Sequence, residues 1–170
     1  MNFQEYESCV FTKCNFSDCI FSGVTLVDCT FIRCNFEGSI VAHTAFRNCI
    51  FNNCSFRDVN FSMADKLIFE VHFIDCNLDF AKFYALKFNA STFTDCSLIA
   101  ADFMSANLKK IAFDGCDLYR AEFDGANLMQ SDFSSSRHFT IDPEKTKITG
   151  AVFSRENVKG LLTKYALEIT

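Results

Sequence analysis

Nowhere does this 170-residue chain hold an apolar run approaching the roughly 20 residues that a membrane-spanning helix needs. Its opening, "MNFQEYESC", is polar and acidic, unlike a secretory signal. A cytoplasmic setting with reduced thiols and no membrane partner is therefore expected. There is no basic excess either: the formal net charge is −5, which argues against direct nucleic-acid binding, since that needs a positive surface. No C-x-x-C pair occurs, and the three histidines, His43, His72 and His138, are scattered, so a zinc site is not expected. A phosphate-cradling glycine loop, an H-E-x-x-H motif and a nucleophile elbow are all missing. The nearest Cys/His pair, His72 with Cys76, would need an inward thiol to be reachable. Neither catalysis nor a cofactor is expected.

Phenylalanine and cysteine stand out instead, with 22 and 10 copies beside no tryptophan and one proline. In "CVFTKCNFSDCIF" (9 to 21), Cys9, Cys14 and Cys19 fall five apart, and Phe11, Phe16 and Phe21 follow each by two. Neither a helix nor a flat strand has that period. With the bulky residue of each pentapeptide taken as its centre, centres run from Tyr6 to Phe61 without a break. The spacing slips by two residues near "MADKL" (63 to 67), and the pattern reads as resuming at Ile68, Phe73 and Leu78 and continuing to Phe133. Of the 22 phenylalanines, 17 are centres, and every cysteine lies two residues before one. Two inward positions in five, held in phase, mean a chain that turns a corner every five residues around a narrow core.

A twenty-residue period underlies the five. Phe73, Phe93, Phe113 and Phe133 align at that interval, as do Leu78, Leu98 and Leu118, and Cys76, Cys96 and Cys116. Four pentapeptides then make one coil, with residues twenty apart stacked at roughly 4.8 Å, the interstrand spacing of a sheet. If the slip only enlarges a corner, Cys54 stacks on Cys76 and a thiol column runs 14, 34, 54, 76, 96, 116. Cysteine would serve there as a small buried hydrophobe, with all ten thiols free.

Motifs such as "ADFMSANL" (101 to 108) and "AEFDGANL" (121 to 128) resemble the A-[DN]-[LF]-x-x signature of pentapeptide-repeat proteins. The resemblance implies an all-β solenoid, a right-handed quadrilateral β-helix of about 6.5 coils. It divides the chain into a repeat domain, 1–135 (blocks 6–62 and 66–135), and a C-terminal part, 136–170. In the latter, "SRENVKGLLTKYALEI" (154 to 169) reads as a capping α-helix with Ser154 as N-cap and Gly160 as a weak point. Val158, Leu161, Leu162 and Tyr165 make its apolar stripe. Asp142-Pro143 before it is similar to the tail of Qnr-type and MfpA-type members, whose C-terminal ends join two tubes; a homodimer through this helix is implied. The chain resembles the loopless members of that group, having only the two-residue slip.

Residues 1–133 hold 17 acids and 10 bases, residues 134–170 four acids and six bases. Asp95 and Asp114 fall on one side of the predicted tube, and Asp102, Glu122 and Asp124 on another. The resemblance implies a DNA-imitating binding protein that engages a type II topoisomerase, DNA gyrase or topoisomerase IV, with quinolone resistance as the consequence. The alternative is a structural or interaction module for an unrelated protein, its contact patch formed by outward Phe80, Ile99, Met104 and Tyr119.

Overall fold

Inward and outward positions separate as a five-residue spacing requires. The computed structural model describes residues 4–168. Over them the chain winds into an all-β solenoid of about six turns. Its eight strands are β1 (Glu5–Glu7), β2 (Val10–Thr12), β3 (Thr25–Val27), β4 (Thr30–Ile32), β5 (Ala45–Asn52), β6 (Phe69–Ile74), β7 (Thr92–Thr94) and β8 (Phe113–Asp114). All pair in parallel in one sheet. The register is twenty residues: Phe11 lies beside Phe31 and Phe31 beside Phe51. Single bridges carry the same register around the other sides, as in the row Asn15, Asn35, Ser55, Asn77, Ser97, Asp117, Arg137. Four pentapeptides therefore complete each turn, and the tube has four sides.

The core is a set of columns running along the axis. On side one, Phe11, Phe31, Phe51, Phe73, Phe93, Phe113, Phe133 and Phe153 stack in unbroken succession. Their ring centroids are 4.9 to 5.5 Å apart and neighbouring planes lie within 23° of parallel. Side two carries Phe16, Phe36 and Phe56, then Leu78, Leu98 and Leu118. Side three carries Phe61, Phe83, Phe103 and Phe123, again stacked in parallel. Rings of opposite sides meet edge to face across the axis, as Phe93 does with Phe103. Such aromatic pairs contribute about 0.5–1.5 kcal/mol each beyond the area they bury.

At the slip the structure corrects the sequence reading. Ile68 is not a centre but 42% exposed, whereas Phe69 and Val71 are fully buried. Phe46 pairs with Phe69 and Cys49 with Val71, with a register irregularity between them. The surplus chain bulges out through a 3-10 turn at Phe61–Met63, with Ala64 turned in and Leu67 exposed. The larger ring takes the interior slot because it buries more apolar area there than isoleucine would. Beyond the bulge the register is intact: Ser55 pairs with Asn77, so Cys54 stacks on Cys76 as expected.

Corners come in two kinds, and each selects its own small residue. At one kind the N–H at the small position donates to the carbonyl of the preceding centre: Ala81 to Leu78, Ala101 to Leu98, Ala121 to Leu118 and Ala126 to Phe123. At the other kind that turn bond is missing, and these corners hold every cysteine except Cys19. There the thiol supplies an added donor. Cys29, Cys34, Cys49 and Cys54 donate from Sγ to the carbonyls of Tyr6, Phe11, Leu26 and Phe31 in the coil below, at 3.3 to 3.5 Å. Ser131 and Thr44 make a similar bond to the coil below, at corners that keep the turn bond as well. These centre carbonyls also lie in the parallel ladders, so the thiol is a second, weak donor to each.

Stacking continues past residue 135, for Asp117 pairs with Arg137, Asn127 with Lys147 and Asp132 with Val152. The predicted α-helix does not follow. Residues 154–168 fold instead as a turn and two 3-10 segments, Val158–Leu161 and Thr163–Tyr165, and the predicted helix end, Ile169, lies outside the described residues. Ser154 and Asn157 do exchange reciprocal bonds, of 2.8 and 3.2 Å, as a capping pair does. Docking then overrides helix propensity. The Asn157 side chain donates to the carbonyls of Phe133, Ser134 and Ser136, closing the last coil. Gly160 is buried, and a Cβ on it would come within 2.6 Å of the Phe139 ring, so this glycine permits a close approach. The stripe is split as well: Leu161 packs on the core, while Val158 and Tyr165 are exposed.

Truncating a central ring tests the column. Phe93→Ala should cost about 3–5 kcal/mol in urea unfolding, the range for emptying a closed aromatic site. A loss under about 1 kcal/mol would mean the column is not what holds the coils together.

Candidate functional site

Outward positions are fixed by the same geometry. In each pentapeptide the residues just before, just after and two after the centre point out, and the last of these turns the corner in a left-handed conformation, as at Asp75, Phe80, Asp95 and Arg120. Side one presents Asp75, Asp95, Asp114 and Asp132 on successive coils. Side three presents Asp102, Glu122 and Asp124, with Asp102 and Glu122 paired rung to rung. The five predicted acidic residues therefore do not form one cluster. Asp95 and Asp114 sit on the side opposite Asp102, Glu122 and Asp124.

These carboxylates are not equally free. Asp114 accepts a hydrogen bond from Ser135 Oγ at 2.6 Å. Asp102 accepts from the Met104 N–H at 2.9 Å, and Asp124 is met by Lys145 Nζ at 2.7 Å. Gly115 stacks directly over Asp95, whose carboxylate occupies the space a side chain would need.

Three of the four predicted apolar residues converge. Phe80, Ile99 and Tyr119 occupy consecutive coils of side two, whereas Met104 lies on side three. Phe80 is 41% and Tyr119 50% exposed. Arg57 lies over the Phe80 ring at 4.8 Å, and Arg120 over the Tyr119 ring at 5.4 Å.

Sequence reasoning passed over Asp79 and Asp117, which support this side from beneath. Asp79 accepts from Ser97 Oγ and the Ile99 N–H, and Asp117 from the Tyr119 N–H, Arg137 Nε and His138 Nδ1. Burial works to raise the Asp117 carboxyl, but those hydrogen bonds and the charges of His138 and Arg137 outweigh it and hold it below the usual range. The one available signal was their position just beside a centre, where carboxylates reach back to a neighbouring rung.

At the C-terminal end a groove of about 880 Å³ opens between the last coil and the 154–168 segment; Ser135, His138, Asn157 and Leu162 are among its lining residues. Lys164 ties the segment down through Asp142 at 2.6 Å and Glu144 at 2.7 Å. Hydrogen bonds from Lys164 hold both carboxyls below their usual range. Each gives stability at neutral pH that is lost as the pH falls through its lowered value.

The cysteines are free, seven of them buried, Cys9 and Cys14 half-buried and Cys19 exposed. Burial pushes the Cys49 thiol up to about 12. Cys96 is raised to about 12 by its hydrogen bond with Cys116 and by burial. Thiolates are thus suppressed in the column, and the arrangement offers packing and weak donors rather than nucleophiles. Among the described residues no group of His, Cys, Asp or Glu is placed to hold a metal ion. None of their helices is long and apolar enough to cross a membrane.

Known proteins with related sequence or shape share this geometry. The family described as "Pentapeptide repeat region" matches residues 66–138, and that described as "Pentapeptide repeats (9 copies)" matches residues 6–49. Among solved structures, trypsin-treated QnrB1, a plasmid-mediated fluoroquinolone resistance protein, is 18% identical at a TM-score of 0.55, over 99% of this chain and 92% of that one. HetL, a pentapeptide repeat protein involved in heterocyst differentiation regulation in the cyanobacterium Nostoc sp. strain PCC 7120, is 15% identical at a TM-score of 0.51. That match spans 89% of this chain and 85% of HetL. No curated protein matches the sequence significantly. At these identities the likeness is one of fold.

Thiol accessibility separates packing from reactivity. Labelling native protein at pH 8 should modify Cys9, Cys14 and Cys19 quickly and the seven buried thiols only after denaturation, giving ten in all. Fast native labelling of Cys76 or Cys96 would overturn the packing role.

Proposed function

Because this chain belongs to the pentapeptide-repeat family, we propose that it is a non-enzymatic, cytoplasmic binding protein that imitates duplex DNA toward a type II topoisomerase. DNA gyrase is the first candidate and topoisomerase IV the second. The observation that carries this reading is the placement of carboxylates on two opposite sides of a regular rod. Asp75, Asp95, Asp114 and Asp132 line one side, and Asp102, Glu122 and Asp124 the other. Two lines of negative charge flanking a narrow body resemble the two phosphate backbones of a duplex. Such a rod complements the basic surface of a DNA-binding enzyme and speeds encounter with it. The fold it shares with a fluoroquinolone resistance protein supports the choice of partner. Direct nucleic-acid binding is disfavoured by the same carboxylates.

The reading predicts a largely electrostatic contact. Neutralising Asp95, Asp102, Asp114, Glu122 and Asp124 to Asn or Gln should weaken gyrase binding at least tenfold at low salt. Unfolding should change by less than about 0.5 kcal/mol per outward site. Wild-type binding should itself weaken as salt rises. In supercoiling assays with a fluoroquinolone, wild type should restore activity and the neutralised variant should not. If wild type binds neither gyrase nor topoisomerase IV at low salt, the reading is wrong.

A homodimer through the C-terminal segment belongs to the same proposal. Its contact would be built from Val158, Leu162 and Tyr165, because Leu161 is committed to the core. Val158→Glu/Leu162→Glu should then be monomeric by light scattering with the melting temperature nearly unchanged. A wild-type monomer at high micromolar concentration would exclude the dimer.

A further inference from the structure

Side two has a chemistry opposite to that of its neighbours. Two of its acidic groups, Asp79 and Asp117, are turned under, its cationic groups are turned out, and Asp58 stands exposed at the edge. Side-chain exposure is 13% for Asp79 against 51% for Arg57. It is 18% for Asp117 against 56% for Arg137. Asp58, at the edge, is paired with Lys82 at 3.2 Å. Arg120 makes no ion pair among the described residues; its guanidinium lies only over Tyr119. Between these guanidiniums sit Phe80, Ile99, Ala100 and Tyr119, an apolar strip that climbs the rungs.

Phe80 is also held against its own preference. It turns its corner at φ 60°, where a bulky side chain is disfavoured and where Asp58 takes the equivalent position one coil below. An aspartate, asparagine or glycine would suit that corner better, so corner geometry gives no reason for phenylalanine. A large ring at an unfavourable corner, exposed and flanked by arginine, is better explained by what it meets outside the chain.

We propose that side two, from Arg57 to His138, is a second docking surface, which takes an acidic segment of a partner protein bearing aromatic or aliphatic side chains. Charge complementarity selects the occupant. Apolar side chains of the segment lie on Phe80, Ile99 and Tyr119, and its carboxylates meet Arg57, Arg120 and Arg137. Phe80 and Tyr119 are two rungs apart, about 10 Å along the axis, which an extended polyproline II segment spans in three residues while returning its side chains to the same face. A single-stranded nucleic acid also stacks on exposed aromatics beside arginine. It is disfavoured here because a polyanion following this side would run between the two carboxylate-bearing sides, one and three. Ile99 at the centre of the strip likewise suits a side chain rather than a phosphate. This surface is independent of the topoisomerase reading, which uses sides one and three.

The test uses full-length protein and a fluorescein-labelled extended peptide carrying two phenylalanines three residues apart among glutamates. The controls are the same peptide with lysine for glutamate, and a labelled single-stranded oligonucleotide. Wild type should bind the glutamate peptide at least tenfold more tightly than either control. Phe80→Ser/Tyr119→Ser and, separately, Arg120→Glu should each lower that affinity at least tenfold while circular dichroism and melting stay unchanged. The variant with Asp95, Asp102, Asp114, Glu122 and Asp124 neutralised should keep it, which separates this surface from the acidic sides. Equal binding of the two peptides, tighter binding of the oligonucleotide, or undiminished binding by both side-two variants would overturn the proposal. So would wild-type self-association abolished by Arg120→Glu, since the occupant would then be a second copy of this chain.

Discussion

Every feature of this molecule depends on rung-to-rung register. A slip of one residue between neighbouring coils would carry Phe73 or Phe93 from the axis to the surface and expose a hydrogen-bonded corner to the core. Two interactions hold the register together. Parallel backbone bonds fix each rung on the one below, and the phenylalanine column on side one rewards only the in-register arrangement, in which rings from Phe11 to Phe153 stack face to face. The thiols add a third element at corners that lack a turn bond. Cys34 and Cys54 add a weak second donor to the Phe11 and Phe31 carbonyls in the coil beneath.

The five- and twenty-residue periods made the solenoid legible, because a repeated inward pattern has few other solutions. The cysteine column was legible too, as was its continuation across the bulge from Cys54 to Cys76. Less was visible where one residue competes with its neighbour for an inward slot. Ile68 and Phe69 both fit a pattern of bulky centres, and only packing against Phe46 and Phe88 decides between them. The choice between cysteine and alanine at the small position also carried information. It marks which corners lack a turn bond, but that became readable only with the backbone bonds in hand.

The C-terminal segment shows the limit of periodicity more sharply. Val158, Leu161, Leu162 and Tyr165 have helical spacing, and Ser154 with Asn157 supplies a capping pair. Helix propensity is nevertheless a weak term of a few tenths of a kcal/mol per residue. Against it stand the Asn157 bonds to three carbonyls, the close seating of Gly160 on Phe139 and the Lys164 bridges to Asp142 and Glu144. These contacts are long-range and irregular, so no local pattern announces them.

The four-sided tube also separates stability from recognition. Inward residues are interchangeable only within the demands of a column, and each coil touches only its neighbours. Outward residues are almost free of that demand, so their identities reflect solubility, corner geometry or a partner. Asp75 and Asp95 satisfy corner geometry as well as charge and are therefore ambiguous. Asp102 and Glu122 stand beside a centre rather than on a left-handed corner, and like charges on adjacent bridged rungs repel. Phe80 occupies a corner that disfavours it. An outward residue that opposes the local stability of the coil says more about function than one that serves it. By that criterion Glu122, set against Asp102 on side three, and Phe80 on side two are the positions where an external partner explains most.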